Sequence, residues 1–347
     1  MLNKEIRQLN KFDYVQYKTM QTGLEDDYML AVYPSLTDGD NRLFGLFVDE
    51  QLVSTAGYTV FANHFIMLGR LRSDIRFRGK NYATEILQYV KELALQLPEV
   101  AFVGANTEKH NLAAQKVLSK IGLPHVTTLY AAQTKDLFPI MSKEDATVWT
   151  KLTDLGRKQN WLAQTYLSDS FPKKVFPFEA YYPFPASEKL FSEAVLEKWD
   201  FYENEDQTRY VILCEEDKGG HYLHVIYPWD DFTQQKSLWN TVQSYYSEAL
   251  LKNPETTVWI DLTETEAELL PNNHPFELPS PWMLHGVSSD AHRNSEHPRS
   301  VDVSLSEAYQ SIEFLENELK ELENDLNEKL ERANELEHSL KEMDSDN

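Results

Sequence analysis

The sequence predicts an α/β protein with a mixed central sheet and flanking helices, followed by a C-terminal coiled-coil helix. Three observations carry this reading. A strand pattern at residues 65–75 runs into a basic loop, an amphipathic helix and a second apolar strand, the signature of a crossover between parallel strands. A similar order of hairpin, helix and strand returns between residues 209 and 262. From Leu305 to Met343, apolar residues recur at spacings of three and four, a heptad seam interrupted once by Lys329.

The elements follow in order. A strand is expected at Lys4 to Leu9, a helical region from Phe12, and a hairpin of Arg42 to Val48 and Leu52 to Ala62 turning at Asp49 and Glu50. The third strand, Phe65 to about Ile75, has Phe65, Met67, Leu71 and Ile75 at odd positions, with Arg70, Arg72 and Asp74 on the other face. A helix from Asn81 to Leu97 repeats its apolar residues at helical spacing, and the buried strand Val100 to Ala105 follows. A second helix, Asn111 to Ile121, stops at Gly122, and the strand Val126 to Ala132 closes the unit. Residues 135–204 read as helical, interrupted at Phe171 to Pro185 by prolines and aromatics, which are expected to form interdomain core. Strands at Arg209 to Glu215, Tyr222 to Tyr227 and Thr257 to Leu262 enclose a helix over Thr233 to Leu251. Residues 270–300, rich in Pro, His, Asn and Ser, read as loop and linker.

Composition narrows the function. The net charge of −23 opposes nucleic-acid binding, which needs a concentrated positive surface. Val301 to Asn347 holds fifteen Asp or Glu against four Lys or Arg, so −11 of that charge belongs to the tail. No run of apolar residues has the length to cross a bilayer, and no membrane role is expected. One cysteine, Cys214, forms no internal disulfide and reads as a small core residue. With no secretory signal pattern, the expected location is cytoplasmic. His221 and His224, three apart in a strand, fall on opposite faces, and no metal site is expected.

The chemistry concentrates at Arg76 to Thr84. Arg76, Arg78 and Lys80 surround Gly79 where the amides of a starting helix are unpaired, which makes an anion site in an otherwise acidic chain. Gly79 admits close backbone approach, Ala83 leaves room in the first turn, and Thr84 adds a hydroxyl. Arg78-Gly79-Lys80-Asn81-Tyr82-Ala83 resembles the R-x-x-G-x-G/A signature of the GNAT superfamily of acyl-CoA-dependent N-acetyltransferases. Asn81 stands at the first signature glycine, and asparagine is the best substitute if positive φ is needed there. Asn111-Leu112-Ala113-Ala114 through Lys120-Ile121-Gly122 resembles the family's next helix.

The resemblance implies acetyl transfer from acetyl-CoA to a primary amine of a small molecule or protein, without a metal. It places the pantetheine arm along Leu71 to Ser73, the pyrophosphate on Arg78, Gly79, Lys80, Asn81, Tyr82, Ala83 and Thr84, and Asn111 against the cofactor. The family's oxyanion donor is a backbone N–H near Ser73. The tyrosine that protonates the thiolate in many relatives is replaced by Leu118, with Tyr130 a substitute to consider. His64 and Glu108 are the nearest titratable candidates for the base. An acidic surface favours a cationic acceptor.

The resulting domains are a GNAT domain at 1–135, a second, degenerate GNAT-like domain at 136–285 lacking the basic loop, a linker at 286–303 and a coiled coil at 304–343. The coiled coil is expected to mediate self-association or partner binding. The competing reading, favoured by Leu118, is a non-catalytic CoA-binding or scaffold protein that recruits a partner through that coiled coil.

Overall fold

The computed structural model of the protein describes residues 3–141, 147–235 and 237–289. The coiled coil expected at 304–343 and residues 290–303 of the expected linker lie outside the described residues. In the first half, β1 (Lys4–Gln8) leads to two short helices, α1 (Tyr14–Lys18) and α2 (Met29–Leu36), then to the hairpin of β2 (Asn41–Val48) and β3 (Gln51–Phe61). Asp49 and Glu50 both take positive φ, the tight-turn geometry whose twist suits a two-residue hairpin. β4 (Phe65–Ser73), α3 (Tyr82–Gln96), β5 (Phe102–Glu108), α4 (Leu112–Lys120) and β6 (His125–Thr134) follow.

The second half comprises β7 (Thr150–Leu152), α5 (Leu155–Gln164), β8 (Val175–Glu179), β9 (Tyr182–Pro185), α6 (Glu193–Lys198) and β10 (Asp200–Glu203). It continues with β11 (Tyr210–Asp217), β12 (His221–Ile226), α7 (Leu238–Lys252), β13 (Thr257–Leu262), α8 (Glu264–Glu268) and β14 (Trp282–Ser288). The largely helical pattern expected over 135–204 is corrected here. Residues 150–152 and 200–203 are strand, while the non-helical interruption expected at Phe171 to Pro185 contains the hairpin of β8 and β9. The helix expected from Thr233 begins only at Leu238, because Ser237 is left-handed at φ 63°.

Twelve strands form one sheet in the order β1-β2-β3-β4-β5-β14-β6-β13-β12-β11-β10-β7. The parallel pairs β4·β5 and β12·β13 stand on either side of the central β14·β6 pair. This corrects the expectation that β6 closes the first unit. β14 lies between β5 and β6, so residues 286–288, read as linker, are strand. The seat of β14 is cut for it: Gly286 faces Gly104 across the strands, and the Phe102 ring occupies the space that side chains would need. A Cβ on Gly286 would stand 2.0 Å from that ring and one on Gly104 2.4 Å.

Each sheet face is covered. On one, α3 and α4 bury Leu87, Val90, Ala94 and Leu118 against Ile66, Val103 and Ala105. On the other, the β8–β9 hairpin sets Phe176, Phe178 and Phe184 against Phe61, Phe65 and Phe102, joining residues from both halves in one core. Burial of such aromatic side chains contributes about 1.5–3 kcal/mol each. No helix among the described residues is long and apolar enough to cross a membrane.

Candidate functional site

β4 and β5 run parallel and pair only from Phe65↔Phe102 to Leu68↔Ala105. Beyond that point they part. β4 continues along β3 and β5 along β14, leaving two arms, Gly69–Ser73 and Asn106–Glu108, without a strand between them. β4 also carries a bulge here, because Thr55↔Arg72 is followed by Gly57↔Gly69. Arg70 absorbs the extra residue at φ +57°. The bulge corrects the expected face pattern: Leu71 packs with the α3 face alongside Ile66 and Leu68, not with Phe65 and Met67.

After β4 the chain makes a turn at Ile75–Phe77, fixed by the buried Asp74. Its carboxylate accepts from Arg76 N (2.9 Å) and Gln21 N (3.2 Å) and pairs with the Arg76 guanidinium. The hydrogen bond from that guanidinium brings the Asp74 pKa down to about 2. Gly79 and Asn81 follow at φ +80° and φ +65°. Asn81 therefore holds the left-handed conformation for which asparagine is the best non-glycine residue, and its side chain caps nothing. The backbone N–H groups of residues 79–84 have no hydrogen-bond acceptor among the described residues, the first paired one being Glu85 N to Asn81 O at 3.0 Å. Six successive free amides, Arg78 and Lys80 beside them, and the positive end of α3 make an anion cradle. Neither Arg78 nor Lys80 has a carboxylate partner among the described residues.

The expected site residues divide in space. Leu71 and Ser73 lie on the free arm of β4, Arg78 through Thr84 form the cradle at its end, and Glu108 ends the free arm of β5. Asn111 follows it, with its side chain accepting from Ala114 N at 3.1 Å as the cap of α4. Glu108 contacts His110 Nδ1 at 3.0 Å. His64 does not join them. It precedes β4, bonds the Glu99 carbonyl through Nδ1 at 2.9 Å, and its own carbonyl accepts from Ala101 N, all at the opposite ends of β4 and β5. Eight strand steps of about 3.3 Å put it roughly 25 Å from the loop. Leu118 is buried in the α3 core, and Tyr130 packs toward the core beneath α7, cut off from β5 by β14.

Two side chains outside the expected site residues stand on the hairpin face of the parting strands. The Arg70 guanidinium donates through Nη2 to Asn41 Oδ1 (2.6 Å) and Thr59 Oγ1 (2.5 Å). Asn106, on the free arm of β5, donates to the Tyr181 carbonyl at 2.8 Å, while its buried Oδ1 has no partner among the described residues. The signal for Arg70 was its place in the basic stretch; that for Asn106 was only its position one residue past a buried strand.

A cluster missed by sequence spacing lies in the second half. His224 is fully buried between Glu216 (Nδ1, 2.8 Å) and Asp261 (Nε2, 2.9 Å), with Cys214 beside them. Three strands contribute, so no linear motif announces it. Cys214, Glu216 and His224 are close enough for a cation, but both imidazole nitrogens engage carboxylates, which is the pattern of an ion-paired imidazolium. Burial pushes the Cys214 thiol up to about 12, out of nucleophile range.

The profile of the acetyltransferase (GNAT) family matches residues 4–123. No curated protein matches the chain. Among solved structures, a GCN5-related N-acetyltransferase from Sphaerobacter thermophilus aligns over 82% of this chain and 96% of its own, at TM-score 0.51 and 12% identity. A GCN5-related N-acetyltransferase from Kribbella flavida aligns over 82% and 71%, at TM-score 0.43 and 14% identity. The architecture is therefore an α/β fold of GNAT type, with a large mixed sheet and flanking helices.

Proposed function

Since residues 4–123 are a GNAT acetyltransferase domain, we propose that this protein transfers an acetyl group from acetyl-CoA to a primary amine. The observation that carries the reading is the run of six unpaired amides at 79–84 with two unneutralised cations, placed at the ends of parting parallel strands. Ligands of open α/β sheets bind at the carboxyl ends of parallel strands for this reason. The cradle holds the pyrophosphate, and the free edge of β4 over Leu71 to Ser73 receives the pantetheine arm as an added strand would be received. Asn111 borders the same mouth.

In the reaction a C–N bond forms as the thioester C–S bond breaks, the ammonium loses a proton and the thiolate gains one. Glu108 takes the proton through water, being the carboxylate on the free arm of β5. The bulged backbone of β4 offers N–H groups to the developing oxyanion. The second half reads as a degenerate copy, since its hairpin, parallel pair and helix repeat the order of the first. Among the described residues it shows no cradle: Asp231 occupies its loop, accepting from Arg209 (3.0 Å), Tyr227 (2.6 Å) and Gln235 (2.7 Å).

The test is calorimetric titration with acetyl-CoA, then thiol release across an amine panel. Absence of binding removes the reading. A second reading, a CoA-binding protein without catalysis, rests on Leu118, whose buried aliphatic side chain offers no proton. Binding without thiol release on any amine favours it.

A further inference from the structure

Five cations gather between β4 and α3, and their partners sort them. Arg72 is paired with Asp27 (3.1 Å) and Arg76 with Asp74. Arg78 and Lys80 belong to the cradle. Arg70 remains. It has no carboxylate within ion-pair distance among the described residues, and it lies away from the loop, in the bulge where β4 leaves β5.

Its orientation follows from its contacts. Thr59, which it bonds, shares a strand face with Phe61, and Phe61 lies against Tyr182 and Phe184 of the β8–β9 hairpin. The guanidinium is therefore on the hairpin side of the sheet, the same side as Asn106, which bonds the Tyr181 carbonyl. Both hydrogens of Nη2 go to neutral oxygens of Asn41 and Thr59. Nε–H and the two hydrogens of Nη1 have no protein acceptor among the described residues. Of the carboxylates on neighbouring elements, Asp27 pairs with Arg72 and Glu179 with Lys218, while Asp38 and Asp40, which line a pocket with Asn41 and Thr59, form no ion pair with Arg70. A half-buried cation held in place by neutral groups, with three donors open, has paid its orientation without being neutralised. Among the described residues nothing neutralises it, and its open donors suit a further anion.

Resting on acetyl transfer as the reaction of this site, we propose that Arg70 anchors an anionic group of the acceptor, so that the acetylated amine belongs to a molecule that also carries a carboxylate or phosphate. Asn106 Oδ1, buried and unpartnered across the gap, accepts from the amine N–H and turns that end toward the free arms. This reverses the cationic acceptor expected from overall charge, about half of which resides in the tail.

The experiment uses four amines on one propyl skeleton: β-alanine, 3-aminopropylphosphonate, 3-aminopropanol and 1,3-diaminopropane. Each is titrated calorimetrically into the full-length protein saturated with CoA, so that the readout does not depend on turnover. The anionic members should bind on the order of 10- to 100-fold tighter than the alcohol, the scale of a charge-assisted hydrogen bond, with the diamine weakest. The better of the two anions identifies carboxylate or phosphate recognition. Arg70→Gln should erase the preference and Arg70→Lys should keep part of it, with the affinity for CoA unchanged in both. Equal or tighter binding of alcohol or diamine, no binding of any of the four, or a preference that survives Arg70→Gln each overturns the proposal. If CoA itself fails to bind, acetyl transfer falls separately, and the same series on the unloaded protein still decides the role of Arg70.

Discussion

Gly79→Val separates the anion cradle from an ordinary exposed turn. Gly79 sits at φ +80°, and a Cβ there would meet no protein atom within 4 Å. Gly219, in the turn between β11 and β12, has φ +76° and the same open surroundings. A side chain in the left-handed region costs about 1–2 kcal/mol at either position, so the two valine variants should lose similar stability in urea. Their affinities for acetyl-CoA should differ. If the pyrophosphate lies against the amides of 79–84, valine at 79 occupies its approach and loses at least two hydrogen bonds to a charged group. At about 1.5–3 kcal/mol each, that is on the order of 10²- to 10⁴-fold in Kd. Gly219→Val should bind as the parent does. Titration calorimetry on both, with stability measured alongside, decides the matter. Equal affinities in the two variants would show that the ligand does not approach this loop.

Three further outcomes follow from other parts of the molecule. Glu108→Gln should lower kcat by on the order of 10²- to 10⁴-fold with acetyl-CoA affinity unchanged, and equal rates in a stopped thiol assay would exclude Glu108 as the base. Gly286→Val drives a side chain into the Phe102 ring and should cost about 1–3 kcal/mol in denaturant unfolding; a neutral result would mean that β14 is not seated as described. His224 is opposed by burial, yet Glu216 and Asp261 raise its pKa well above its ordinary 6.5, while Glu216 is depressed below its ordinary 4.5 despite burial. The histidine contribution is thus full below 6.5 and lost as pH rises through the higher folded value. The glutamate contribution is present above 4.5 and lost as pH falls through the lower one. His224→Ala leaves two buried carboxylates without their cation and should cost about 3–5 kcal/mol at neutral pH, the difference from the parent shrinking as pH rises through the folded His224 value and the parent loses the same pairing; a loss that is flat with pH would contradict the assignment.

What the sequence reveals here tracks how local each feature is. The β4, loop, α3 and β5 crossover is written in contiguous residues, and the left-handed Asn81 is legible as the asparagine at a glycine position. The bulge at Arg70 is not, because β4 is apolar on both faces through Ile66 and Leu68, and its register is set by β3. β14 is hidden for a stronger reason. Its segment carries His285 and Gly286 beside several prolines, and it becomes a strand only by pairing with Glu108 and Leu129, more than 150 residues earlier. His64 shows the converse error: closeness in sequence to β4 says nothing about which end of the strand carries the chemistry.

If the hairpin face is the acceptor wall that the proposal requires, the second half shows how it would be held. The hairpin tip is pinned at two points: Ala180 N donates to Glu216 Oε2 (2.7 Å) and Asn106 Nδ2 to the Tyr181 carbonyl (2.8 Å). Tyr181 then packs on Trp259 of β13 and Trp282 of β14 (4.5 and 5.4 Å between ring centroids), the two strands that flank β6. The buried ion network is therefore mechanically joined to the face that carries Arg70 and Asn106, through one glutamate. Glu216→Gln keeps the shape and an oxygen for Ala180 but removes the charge that faces His224. If the network positions the hairpin, this variant should raise the KM for the amine by roughly tenfold, the scale of one lost charge-assisted hydrogen bond, and leave the Kd for acetyl-CoA unchanged, since the cradle lies on the other side of the free arms. Steady-state kinetics with varied amine, together with acetyl-CoA titration, separates the two quantities. Parallel weakening of both would mean that Glu216 serves only the stability of the whole sheet.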